Sequence, residues 1–170
     1  MGEYAEAGRD NLVVVMDVSL RASHARDYDF ARGLYFETMR PMIERLFGWD
    51  QTRQEENFAG WFKLDEVSII TVDGIDAGWI QQRADSGEIF LGSLYVVPSM
   101  QGQGIGTRVL RCLLASAKYQ SKVLTLAVMK INPAIRLYER LGFRITHEDE
   151  YKLYMRADPR AGAVPEIVNQ

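Results

Sequence analysis

VPSMQGQGIGTRVL, residues Val97 to Leu110, places glycines at 102, 104 and 106 between an apolar extended run and a helix-like run. Glycine at a helix start costs roughly 0.5–1 kcal/mol relative to alanine at each position, so three at alternate positions need a local reason. An anion held by bare amides is the first candidate, because unpaired N–H groups and the positive end of the macrodipole coincide there. Two nucleotide loops fail on spacing. A dinucleotide fingerprint opening at Gly102 needs glycine at 107, where Thr107 stands, and a P-loop needs a lysine after its glycines. A glycine-rich turn without a ligand is the plainer alternative.

Three extended runs precede the loop. EVSIITV meets the run Ile75 to Arg83 at Asp73-Gly74, a two-residue hairpin turn, and Asp85 to Gly87 turns again into EIFLGSLYVV. Three antiparallel strands therefore lead into the glycines. Beyond them Ile105, Val109, Cys112, Leu113 and Ala117 share one helical face, widened by Leu110 and Leu114. KVLTLAV, Lys122 to Val128, is a short buried strand. Strand, helix, strand is a βαβ unit, which makes this one pairing parallel in an otherwise antiparallel sheet. Asn132-Pro133 reads as an N-cap followed by proline at the first helical position, and Gly142 as the C′ glycine, so a short helix is expected from Pro133 to Leu141. FRITHEDEYKLYMR supplies two closing strands.

Upstream, LVVVMDVSLRA from Leu12 to Ala22 reads as the first strand. Asp27 to Phe47 carries helix-spaced apolar residues, with Pro41 dividing it into two helices and Gly48 ending the second. Asp50 to Phe62 is a further amphipathic helix, with Phe58 and Trp61 on one side. Residues 1–11 read as a flexible leader and 158–170 as a flexible tail.

The 170 residues, 47% hydrophobic and 25% charged, suit one domain with a sizeable core spanning 1–170. A balance of 20 Lys+Arg against 23 Asp+Glu leaves no electrostatic footprint for nucleic acid or an anionic membrane surface. No apolar run approaches the ~18–20 residues of a membrane span, and the N-terminus lacks a secretory pattern, so a cytoplasmic protein is expected. The single Cys112 cannot close an internal disulfide, and its place among Val109, Leu113 and Leu114 predicts packing rather than nucleophilic chemistry. No His/Cys/carboxylate group has ligand spacing, so no metal is expected.

Gln101-x-x-Gly104-x-Gly106 resembles the pyrophosphate loop, Q/R-x-x-G-x-G/A, of the GNAT superfamily of N-acetyltransferases, whose co-substrate is acetyl-coenzyme A (acetyl-CoA). NPAIRLYERLGF, Asn132 to Phe143, is similar to that superfamily's other signature, an asparagine opening a short helix that ends in tyrosine and LGF. Its Asn-to-Tyr spacing is one residue tighter than the commonest version. Strand order, loop and second signature together extend from about Val67 to Arg156. LYFETMRPMIERLFGWDQTRQEENF resembles the leading helices of a bacterial branch of the superfamily. The resemblance implies an α/β GNAT fold: a mixed, mostly antiparallel sheet with a central parallel βαβ splay and helices on both faces.

Acetyl transfer to an amine needs a held carbonyl, a deprotonated amine and a proton for the departing thiolate. The resemblance implies that backbone N–H groups of Leu94, Tyr95, Val96 and Val97 hold the acetyl and pantetheine groups. It implies that Gln101, Gly102, Gln103, Gly104, Ile105, Gly106 and Thr107 face the pyrophosphate, and that Asn132 contacts the cofactor. Tyr138 maps onto the tyrosine that protonates the coenzyme A thiolate in many relatives. From spacing alone it reads as a core tyrosine, since Ala134, Tyr138 and Leu141 share a face. No general base stands out among Glu37, Glu88, His24 and His147, and direct attack by an amine that has lost its proton to water needs none.

On the acceptor side of this fold, the first helices offer Tyr35, Trp49, Trp61 and Phe62 with the acids Glu37, Asp50, Glu55 and Glu56. They tilt the expectation towards a cationic amine on a small molecule or peptide, though Arg40, Arg45 and Arg53 interleave with the acids. The rivals are a non-catalytic acyl-CoA sensor on the same fold and transfer of a longer acyl group. A homodimer is the remaining partner expectation.

Overall fold

The computed structural model describes residues 16–159. Its elements in chain order are β1 (Val18–Ala22), α1 (Tyr28–Phe47), α2 (Gln51–Trp61), β2 (Val67–Val72), β3 (Ile75–Ala84), β4 (Glu88–Val96), α3 (Ile105–Tyr119), β5 (Val123–Met129), α4 (Ile135–Arg140), β6 (Arg144–Glu148) and β7 (Lys152–Ala157). The expected leader, the start of the first strand at Leu12 and most of the expected tail lie outside the described residues. Among the described residues, no helix is long and apolar enough to cross a membrane.

All seven strands form one sheet in the order β1-β2-β3-β4-β5-β7-β6. The Asp73-Gly74 turn closes the β2–β3 hairpin in two residues, as its composition demands. Only β4 and β5 pair in parallel, because α3 carries the chain back across one face between them. The last hairpin enters with its second strand inward: β7 pairs with β5 along its length and leaves β6 at the edge, exposed throughout.

The strands alternate between two apolar layers. Ile70, Ile80, Leu91 and Leu126 meet Val109, Leu110 and Leu113 of α3 on one face. Val67, Ile69 and Trp79 meet Leu34, Tyr35 and Phe58 of α1 and α2 on the other.

Three expectations are corrected. Pro41 does not divide the first helical stretch; α1 runs unbroken through it. Proline removes the hydrogen bond to the carbonyl four residues back, at Glu37, and both residues are exposed, so water can satisfy the freed oxygen. Cys112 is exposed instead of packed, because it sits at the margin of the stripe that buries Val109, Leu113 and Ala117. The helix of the second signature starts at Ile135 instead of Pro133: Asn132 Oδ1 accepts the Ala134 N–H at 2.9 Å, a side-chain turn that precedes the first helical residue.

Candidate active site

The sheet is open at its centre. β4 and β5 pair only from Glu88↔Val123 to Leu91↔Leu126, after which β5 turns wholly to β7. The cause lies one residue later. Between β3 and β4 the register runs Gln82↔Leu91 and then Gln81↔Ser93, so Gly92 has no partner and bulges. A bulge bends its strand and increases its twist, and here it swings the end of β4 away from β5.

Hydrogen-bond direction along the splayed part of β4 follows from one contact. Val97 N–H donates to Ala77 C=O at 2.8 Å, so by alternation Tyr95 also faces β3, while Leu94 and Val96 point their backbone groups into the opening. Of the four residues expected to offer amides, Leu94 and Val96 therefore can; Val97 and Tyr95 are engaged within the sheet. Gln101 Nε2 donates to the Val96 carbonyl at 2.9 Å, which satisfies that oxygen and leaves the Val96 N–H free.

The opening is a passage of about 70 Å³ lined by Met39, Leu91 to Tyr95, Leu126, Met129, Asn132 and Tyr138. Tyr138 belongs to the aliphatic layer and Tyr95 to the aromatic one, so the passage borders both layers. Burial pushes the Tyr138 phenol up to about 12, and its ring packs edge-on to Phe143 at 5.7 Å. Burial also raises Tyr95, which packs against Tyr35 and Trp79.

At the end of β4 lies the glycine loop. Gly104 caps α3 with φ of 82°, and Gly102 has φ of 74°, a region in which side chains are strained. The first amide of α3 to close an intrahelical bond is Arg108, onto Gly104 C=O at 3.0 Å. The N–H groups of Ile105, Gly106 and Thr107 therefore lie unpaired at the helix start, where the dipole favours an anion. Gln103 bonds back to Ser99 C=O at 3.3 Å and steadies the loop.

On the α1–α2 face the passage opens into a cleft of about 800 Å³. Of the residues expected on the acceptor side, Tyr35, Trp49, Trp61 and Asp50 line this cleft; Phe62 is buried in the core beside it. Glu37, Glu55 and Glu56 do not line it, and Glu55 is tied to Arg32 at 2.5 Å and to Gln51 at 2.8 Å. The acidic character expected for this wall thus reduces to Asp50.

The candidate bases are likewise elsewhere. Glu88 bonds Thr125 at the far, paired end of β4, and His24 precedes a short 3-10 turn at Ala25–Asp27. His147 sits in β6 and stacks on Tyr154 at 4.2 Å. Among the described residues, no group of three or more His, Cys, Asp or Glu side chains could hold a metal ion.

Sequence reasoning missed Ser93, Met129 and Lys152, which line the cleft, and Gly78, opposite Val96. A Cβ at Gly78 would lie 2.0 Å from the Tyr95 carbonyl oxygen. Only glycine lets β3 approach β4 this closely, and a glycine inside a strand was the available signal.

Residues 63–145 match the family model described as acetyltransferase (GNAT) domain. The PaiA N-acetyltransferase of Thermoplasma acidophilum, in complex with coenzyme A, is similar over 84% of this chain and 99% of that one, with a TM-score of 0.67 at 15% identity. The ribosomal-protein-S18-alanine N-acetyltransferase of Escherichia coli is similar over 92% and 100%, with a TM-score of 0.59 at 21% identity. No curated protein matches the chain.

Proposed function

This chain belongs to the GNAT superfamily of acetyl-CoA-dependent acetyltransferases, and from that premise we propose that it transfers acetyl to a primary amine by direct attack, assisted by Tyr138. The observation that carries this reading is the passage through the sheet. Leu94, whose N–H points into the opening, and the buried Tyr138 phenol line it, it shares Met39, Gly92, Ser93, Tyr95 and Met129 with the cleft, and β4 runs on from it through Val96 to the unpaired amides at the start of α3.

Leu94 and Val96 N–H groups bond the pantetheine and the acetyl carbonyl, whose oxygen gains charge as the amine adds. The amides of Ile105, Gly106 and Thr107 bind the pyrophosphate. Ser93 and Tyr95 border both passage and cleft, so the amine arrives past them from the α1–α2 face. No carboxylate or imidazole lines the passage; the amine sheds its proton to water before attack.

The raised phenol limits what Tyr138 does. It is fully protonated at neutral pH, but at about 12 it holds its proton more tightly than a thiol near ~8.5. Tyr138 therefore steadies the departing sulfur by donating a hydrogen bond, and the attacking amine, which loses one proton on forming the amide, supplies the proton that the thiol gains.

Tyr138→Phe keeps the ring and deletes the donor. Single-turnover acetyl transfer at saturating acetyl-CoA should slow about 10–100-fold, the low end of general-acid effects, with cofactor affinity unchanged. A folded variant as fast as the parent would remove Tyr138 from the mechanism. A thiol-release screen over amino acids, polyamines, aminoglycosides and peptide N-termini tests the amine acceptor; silence throughout, with tight acetyl-CoA binding, would point to a sensor.

A further inference from the structure

The cleft on the α1–α2 face is more selective than its size suggests. Its floor is apolar and aromatic, built by Tyr35, Met39, Trp61 and Met129, and its charged groups are only Asp50, Arg53 and Lys152. Asp50 is already engaged: its Oδ1 accepts the Arg53 backbone N–H at 3.0 Å as the N-cap of α2. The two cations are not. Arg53 and Lys152 are exposed, and neither side chain is in an ion pair among the described residues. Asp149, the acid beside Lys152, takes two backbone N–H groups on Oδ1 and the Tyr154 hydroxyl on Oδ2.

A polycationic amine would meet one capped acid and two like charges in this cleft. A molecule with an apolar body and an anionic end would cover the aromatic floor and pair both cations. The shape favours a small molecule over a polypeptide. Phe47, at the end of α1, lines the cleft, as does Lys152 at the start of β7, and Phe47 touches Tyr151, the neighbour of Lys152, edge-to-face at 4.7 Å. The two walls touch there. The remaining volume suits a compact ligand.

We propose that the acceptor is a small amphiphilic molecule with a primary amine, an apolar or aromatic body and a carboxylate. The amine lies against Ser93 and Tyr95, the body on Tyr35 and Trp61, and the carboxylate between Arg53 and Lys152. This rests on the acetyl-transfer reading of the same site and names its substrate class.

The test compares matched amines: apolar and aromatic amino acids such as phenylalanine and leucine, their amides, the same amines without the carboxylate, spermidine, and an octapeptide with N-terminal phenylalanine. Each is assayed for thiol release and for calorimetric binding in the presence of coenzyme A, with the parent, Arg53→Gln and Lys152→Gln. The best carboxylated amine should exceed its carboxylate-free partner by about tenfold or more in kcat/KM, as expected for charge-assisted hydrogen bonds. Each substitution should lower kcat/KM for the acid about tenfold, with a much smaller change for the carboxylate-free amine, a ratio in which amine basicity cancels. Coenzyme A affinity should hold.

Equal losses for acid and carboxylate-free amine would overturn the assignment, as would preference for spermidine or the octapeptide, or weakened coenzyme A binding in the variants. Failure to bind or acetylate any carboxylated amine would also overturn it. The two readings fail separately. Acids that bind in the expected order without thiol release keep the ligand class and refute acetyl transfer; fast acetylation of amines lacking a carboxylate does the reverse.

Discussion

The two faces of the sheet are built from different material. Under α3 and α4 the buried layer is aliphatic, with Ile80, Leu91, Val109, Leu110 and Leu124 among its members. Under α1 and α2 it is aromatic: Phe58, fully buried, packs against the rings of Tyr28, Tyr35, Phe36, Trp61, Phe62 and Trp79. Apart from the Tyr138 hydroxyl, the contacts assigned to the cofactor come from backbone amides and a helix start, and they need only glycines and a splayed strand. Those assigned to the acceptor come from side chains. The first demand is the same in any sequence that meets it; the second changes with the substrate.

The sharpest way to break this contrast is to remove its aromatic centre. Phe58→Ala should cost about 3–5 kcal/mol of stability, from lost burial and six ring contacts. Urea unfolding measures the loss. In the fraction that stays folded, acceptor KM should rise while coenzyme A affinity holds, and a fall in both would show that the faces are not separable.

Gly78 tests a stretch of backbone that both faces share. Gly78→Ala would drive a Cβ towards the Tyr95 carbonyl, so β3 and β4 must part beside Leu94 and Val96. A cost of about 3 kcal/mol is expected from the forced shift, together with weaker coenzyme A binding. Retained affinity at reduced stability would mean that the free amides tolerate displacement of β4.

The smallest effect is remote from both functions. Arg21 binds Asp27 through its two terminal guanidinium nitrogens at 2.9 Å and reaches Asp76, joining β1 and the chain before α1 to β3. Its hydrogen bonds hold the Asp27 carboxyl at about 2, below its ordinary 3.8. The folded value is the lower one, so the stabilisation is present above about 3.8 and is lost as pH falls towards 2. About 2 kcal/mol should disappear over that window, and Asp27→Asn should flatten this part of the urea-midpoint profile.

This division also explains what could be read from the sequence. The glycine loop was legible because left-handed backbone at Gly102 and Gly104 requires that residue type, and the β2–β3 hairpin because Asp73-Gly74 suits so short a turn. Helix α1 was misread because proline's cost depends on whether water reaches Glu37, which spacing does not encode. Cys112 lay on the edge of a stripe whose width is set by the sheet beneath. The insertion of β7 between β5 and β6 leaves no local mark, since a hairpin can present either strand. The cleft was least legible: Tyr35, Trp49, Tyr95, Met129 and Lys152 come from five separate elements and loops, and no spacing rule joins them.

Whether the loop binds pyrophosphate is best tested at Gly106. Gly104 is a poor probe, since a side chain at φ of 82° would itself cost about 1–2 kcal/mol. Gly106 has helical backbone, and a Cβ there meets only Leu137 Cδ2, at an ordinary 3.7 Å. Calorimetry of coenzyme A binding to Gly106→Val, with thermal unfolding as the control, separates ligand approach from fold. The variant should melt close to the parent and bind coenzyme A at least about tenfold more weakly, because the added methyls crowd the amides that face the phosphates. A folded Gly106→Val protein with the parent's affinity would contradict the assignment of this loop to the cofactor.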